Sequence, residues 1–89
     1  MRTSHAILLR LYHDPNYDFS KVGVDYIDRG APGDRSTVYG NKIMQVGSGG
    51  MEIRSGFEAK HIPFHRILKI SYDGISLWDR FAMQPKDQG

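Results

Sequence analysis

Apolar residues recur at helical spacing only once in this chain, over residues 4 to about 13. Stepped at about 100° per residue, Ile7, Leu8, Leu11 and Tyr12 share one face, whereas Ala6, Arg10 and His13 point away. Thr3 or Ser4 can cap the start by accepting a backbone N–H. Asp14-Pro15 ends the helix, because the residue before proline avoids the α region. After a loop at 16–20 the period changes to two. Residues 22–28 read as a strand, with Val22, Val24 and Tyr26 on one side and Asp25, Ile27 and Arg29 on the other. Residues 29–35 are a loop by composition, and 37–46 are strand material interrupted at Gly40-Asn41. Gly47-Ser48-Gly49-Gly50 is a turn, and 51–54 and 57–62 are short strands. The pattern predicts an α+β domain: one N-terminal helix packed on a curved, mainly antiparallel sheet ending in a β-hairpin. Residues 1–81 form the single domain, and 82–89, with nothing to bury, form a flexible C-terminal tail.

The final hairpin turns at Asp73-Gly74, a dipeptide suited to a type I′ turn. A two-residue loop there pairs Tyr72 with Ile75, Ile70 with Leu77 and Leu68 with Asp79, making an almost wholly apolar face directed at the core. The opposite face then pairs Ser71 with Ser76, Lys69 with Trp78 and Ile67 with Arg80. Backward alternation adds His65, and Arg66 sits at the strand entrance. Two readings of this strip stand side by side. It can be a ligand surface, with arginine forks for phosphate, Lys69 and His65 as further donors, and an indole for stacking. Alternatively, Trp78 covers a second small core beneath the Gly-rich loops, with Lys69 and Arg80 lying across it.

Composition narrows the classes. Eighty-nine residues make one small domain, and the absence of cysteine removes disulfides and thiolate metal sites. The longest apolar stretch, residues 6–9, is too short to span a bilayer, so no membrane partner and a cytoplasmic location are expected. A net charge of +2 permits nucleic-acid binding without requiring it. The loop at 29–35 carries two arginines and two glycines and can present N–H groups to an anion. No Gly-Lys-Ser/Thr follows either Gly-rich segment, which excludes a P-loop. His61 and His65 are four apart, but Pro63 lies between them and no other ligand is suitably placed. No metal or cofactor is expected. The same histidines could serve a metal-free phosphodiesterase as acid and base.

Tyr26-Ile27-Asp28-Arg29-Gly30, Ile62-Pro63-x-His65-Arg66-Ile67 and Gly74-x-x-x-Trp78-x-Arg80 follow Asp14-Pro15 at the end of a helix. Together they resemble the signature of a small archaeal family, the RNA cyclic group end recognition domain, catalogued earlier as a domain of unknown function. The resemblance runs from the helix through Arg80. It implies recognition of an RNA 3′ end bearing a 2′,3′-cyclic phosphate or similar group, in company with RNA-processing or repair proteins. It also implicates Asp28, Arg29, His65, Arg66, Trp78 and Arg80. On that reading Arg29, Arg66 and Arg80 hold the phosphate, His65 donates a hydrogen bond, and Trp78 stacks the terminal nucleoside. Asp28 orients an arginine or binds a ribose hydroxyl, and Lys69 adds a donor beside them. The expected function is non-catalytic binding. The alternatives are a metal-independent RNA phosphodiesterase using His65 and His61, and an interaction or dimerisation domain using the Trp78 surface. Residues 36–57 are longer and more Gly-rich than the family pattern.

Overall fold

The computed structural model describes residues 3–81; the expected tail at 82–89 lies outside them. Helix α1 spans Ser4–His13. Thr3 caps it, its hydroxyl oxygen accepting the Ala6 N–H at 3.1 Å, and the Asp14 N–H closes it on the Arg10 carbonyl at 2.9 Å. Leu8 and Leu11 are buried and Ile7 and Tyr12 half-buried, the face that the 3.6-residue period marks out.

Seven strands follow: β1 (Val22–Ile27), β2 (Arg35–Tyr39), β3 (Ile43–Val46), β4 (Gly50–Ser55), β5 (Glu58–Pro63), β6 (Ile67–Tyr72) and β7 (Ile75–Asp79). Every pairing is antiparallel, in keeping with the α+β reading, and the strands divide between two sheets. One is ordered β2-β1-β6-β7 and the other β3-β4-β5. The helix packs on β6 and β3 and so spans both. Leu8, Val22, Val24, Met51, Ile62, Ile67 and Ile70 are the most deeply buried side chains of one shared core. Each contributes about 1.5–3 kcal/mol relative to its exposed state. Short 3₁₀ turns separate several strands. At one of these joints, Gly40, and at the start of β4, Gly50, the backbones approach so closely that only glycine fits. A Cβ on Gly40 would collide with the Phe19 carbonyl, and one on Gly50 with the Ile62 carbonyl.

The Asp73-Gly74 turn has φ of 51° and 84°, the doubly positive signature of type I′. It is tied to the body by the Asp73 N–H on the Lys21 carbonyl at 2.9 Å. The expected register holds for Tyr72↔Ile75 and Ser71↔Ser76 and then shifts, so that Ile70 faces Trp78 and Lys69 faces Asp79. The predicted pairs Ile70–Leu77, Lys69–Trp78, Leu68–Asp79 and Ile67–Arg80 are therefore corrected. The extra residue, Leu77, is a β-bulge. Strict alternation would send Leu77 and Trp78 to opposite faces. With the bulge, Leu77 lines a cleft with Ile7 and Leu11 of the helix, while Trp78 packs against the core. A second bulge lies across the same strand. Asp25 pairs with Lys69 and Tyr26 with Ile67, which leaves Leu68 unopposed and buries Ile67 and Leu68 together. Ile67, expected on the outer face, is thus wholly buried. Ile75, expected in the core, is exposed.

Candidate functional site

Antiparallel alternation collects several chain segments at one end of the four-stranded sheet. Strand β1 ends there and β2 begins, paired Ile27↔Arg35. Strand β6 also begins there, paired Tyr26↔Ile67, and β7 ends there, with the Arg80 N–H on the Leu68 carbonyl at 2.9 Å. Asp28-Arg29, Arg35-Ser36, His65-Arg66 and Asp79-Arg80 therefore share one end. Sequence reading joined His65, Arg66 and Arg80 through the hairpin. The topology adds Asp28 and Arg29 through β1.

The basic side chains here fall into two groups. Arg35 donates to Asp25 at 3.0 Å, and the Thr37 hydroxyl donates to the same carboxylate at 2.9 Å. Lys60, from β5 of the other sheet, donates to Asp28 at 3.1 Å and lies 5.8 Å from the centre of the Tyr26 ring. Arg80 donates from Nε and Nη2 to the Ile67 carbonyl, at 3.2 and 2.9 Å, and from Nη2 to the His65 carbonyl at 2.6 Å. By contrast, the side chains of Arg29, His65 and Arg66 have no hydrogen bond or ion pair among the described residues. Arg29 and His65 are exposed and Arg66 is half-buried.

Of the covering arrangement that the hairpin sequence left open, the structure has Arg80 over Trp78, but the ring packs against the one shared core rather than a second one, and Lys69 does not lie across it. Trp78 is half-buried against the core, and the Arg80 guanidinium sits 5.9 Å from the ring centre. A guanidinium has five N–H donors. Three bonds to carbonyls leave the two donors on Nη1, so Arg80 clamps the 3₁₀ turn Phe64–Arg66 to β6 before it can meet any ligand. Lys69 does not join this corner. Its register partners are Asp25 on β1 and Asp79 on β7, so it lies in a row across the outer face where acids and bases alternate.

Asp28 does not orient an arginine. Its carboxylate accepts the Ser36 hydroxyl at 2.7 Å and the Lys60 ammonium at 3.1 Å. The Ser36 hydrogen bond, and after it that from Lys60, hold its pKa below the ordinary carboxylate range, against a smaller opposing effect of burial. Asp28 is therefore an anion at neutral pH and no proton donor. Ser36 and Lys60, which position it, and of which Lys60 links the two sheets, escaped the sequence reading. One signal was available: Lys60 lies two residues before Ile62 and shares its inward side of β5.

Two further candidates change character. In the loop after β1 the Asp28 N–H bonds the Asp34 carbonyl at 2.9 Å, and the Gly30 N–H bonds the Asp34 carboxylate at 3.2 Å. The loop thus supplies its own anion and is no open nest. His61 holds Glu52 at 2.6 Å through Nδ1, on the side of β5 turned away from Ile62, and no bond or ring contact joins it to His65. Among the described residues, no cluster of three or more His, Cys, Asp or Glu could hold a metal, and no helix is long and apolar enough to cross a membrane. A cleft of about 320 Å³ lies between α1 and β7, lined by Ile7, Arg10, Leu11, Tyr17 and Leu77. Its lining mixes three aliphatic side chains with Arg10 and Tyr17, and none of the residues gathered at the sheet end lines it.

Fold and site define a small α+β domain whose two antiparallel sheets share one core and whose larger sheet ends in a group of uncommitted cations. The family model of the MJ1316 RNA cyclic group end recognition domain matches residues 1–80, and the chain belongs to that family. A UPF0248 protein of Archaeoglobus fulgidus is 41% identical over 66 residues, covering 74% of this chain and 88% of the relative. One from Pyrobaculum calidifontis is 31% identical over 61 residues, covering 68% and 79%. One from Methanopyrus kandleri is 30% identical over 70 residues, covering 79% and 89%. No solved structure matches the chain.

Proposed function

We propose that the domain is a non-catalytic RNA-binding module that captures a phosphorylated or 2′,3′-cyclic-phosphate RNA end, in RNA processing or repair. One observation carries this reading. At the end of the sheet Arg35, Lys60 and Arg80 are each bonded within the protein, whereas the side chains of Arg29, His65 and Arg66 stand at the same end with no such partner among the described residues. Arginine matches two phosphate oxygens at once, so Arg29 and Arg66 take the phosphate and His65 donates a further hydrogen bond. Arg80 acts mainly through the carbonyls of His65 and Ile67, fixing the turn that presents His65 and Arg66. Its two Nη1 donors are the part left for a ligand. Asp28 holds Lys60 at the margin of the site. Trp78, half-buried beneath Arg80, supports the corner and is a poor platform for stacking. The family description agrees with this chemistry.

Titration of a short oligonucleotide ending in a 2′,3′-cyclic phosphate, in parallel with its 3′-hydroxyl twin, tests the proposal. Tighter, salt-sensitive binding of the cyclic end is expected. Equal affinity would remove end recognition, and no salt-sensitive binding of either would remove RNA binding altogether.

A further inference from the structure

The reading above leaves the site without a stacking surface, because Trp78, the aromatic that the hairpin sequence offered, is half-buried beneath Arg80. The β4–β5 hairpin offers one. Its inner pairs are part of the body: Met51↔Ile62 lies in the core, and Ile53, buried, pairs with Lys60. Beyond that pair every residue of 54–59 is exposed, so the last two pairs, Arg54↔Ala59 and Ser55↔Glu58, and the turn project from the domain. At about 3.3 Å per residue the turn stands roughly 10 Å past Lys60. Lys60 is itself bonded to Asp28, the residue before Arg29. The arm therefore leaves the body beside the proposed phosphate group.

At its tip Gly56 takes a φ of 65°, the positive value that the first central residue of a type II′ turn requires. The second central residue is Phe57, fully exposed at 103%. Nothing in that turn calls for an aromatic, and a lone exposed apolar side chain is by itself ordinary. Its place is what distinguishes it. It sits on an arm anchored by an ion pair at the cationic end, in the turn beyond the Ser55↔Glu58 pair that follows Arg54, whose side chain has no bonded partner among the described residues. Glu58 is the one carboxylate on the exposed part of the arm.

We propose that the β4–β5 hairpin is a second RNA-contacting element, in which Phe57 stacks on an unpaired base upstream of the bound terminus and Arg54 lies along the backbone. This inference rests on the end-binding reading and extends it from a single terminal group to a short single-stranded segment. A base offers a π-face whatever its identity, so the contact adds affinity without sequence preference.

The test compares wild type, Phe57→Ala and Phe57→Trp on two probes, a nucleoside 2′,3′-cyclic monophosphate and a hexanucleotide with the same end. Alanine should weaken hexanucleotide binding about 5- to 150-fold, the range for loss of one stacked base, and leave the mononucleotide unchanged. Tryptophan should restore the hexanucleotide. Loss of less than twofold on the hexanucleotide, or equal loss on both probes, overturns the arm while leaving end recognition standing. Failure of the wild type to bind either probe removes both. Sedimentation gives a further check: self-association that disappears in Phe57→Ala would assign the tip to a second copy of the chain and overturn the RNA contact. The side chain is fully exposed, so the variants should fold as wild type does.

Discussion

The corner at Trp78 and the tip at Phe57 have similar ingredients and opposite fates. Each places an aromatic within three residues of an arginine on an antiparallel hairpin. At the corner the indole packs on the core, and the arginine spends three hydrogen bonds on backbone carbonyls. At the tip the ring is fully exposed, and the arginine has no bonded partner among the described residues. The difference teaches that residue type marks what chemistry is possible, whereas hydrogen-bond and burial accounting shows what remains available to a ligand. The corner holds the scaffold; on the proposed reading, the tip and the side chains of Arg29 and Arg66, unbonded among the described residues, are the parts that meet a ligand.

Stability measurements should divide the two regions most sharply. Trp78→Ala should lose about 2–4 kcal/mol in chemical denaturation, somewhat below a fully buried indole, whereas Phe57→Ala should stay within about 0.5 kcal/mol of wild type. Comparable losses would erase the distinction. Arg80→Lys should lose about 1.5–3 kcal/mol, because an ammonium cannot reproduce the fork that reaches both the His65 and Ile67 carbonyls. A neutral result would show that the clamp does not hold the turn.

Binding measurements sharpen the same division among the cations. Arg29→Ala and Arg66→Ala should each lower the salt dependence of single-stranded RNA binding, by about 0.7 in the slope of log K against log salt concentration. Lys69→Ala should change affinity by less than about twofold, since Lys69 lies between two carboxylates in the sheet register. A larger loss at Lys69 than at Arg29 would move the interface onto the outer face of the sheet.

The smallest effect concerns Asp28. Its carboxyl titrates below the ordinary range, so the stabilisation it provides is present above that range and is lost as pH falls through the lowered value. Ser36→Ala and Lys60→Met should each raise the pKa, because the hydroxyl bond is the largest single cause and Lys60 acts both through its hydrogen bond and through its charge. Carboxyl-carbon NMR titration of the two variants checks this, and an unchanged pKa in either would remove that partner from the account.

Much of this was legible in the chain. The helix, its Thr3 cap, the Asp14 stop, the break at Gly40 and the I′ turn all follow from local rules that act over a few residues. The family motifs picked out Arg29, His65 and Arg66 directly. The hairpin register was not legible beyond its first two pairs, because a bulge is decided by what the strand packs against. Leu77 and Trp78 both find apolar neighbours on the helix side, and the ladder accommodates them by displacing one residue. Lys60 and Ser36 were hidden for a related reason, since each meets Asp28 from another strand, Lys60 from the other sheet.

Sequence alone determined where most elements start and stop and which residue types could offer phosphate or stacking chemistry, because capping, turn conformation and periodicity are short-range. Only the tertiary structure decided which of those side chains are already taken. Partnership depends on what the antiparallel topology brings to the same end of the sheet, and that is where Arg80 and Trp78 became scaffold while the side chains of Arg29 and Arg66 have no bonded partner among the described residues.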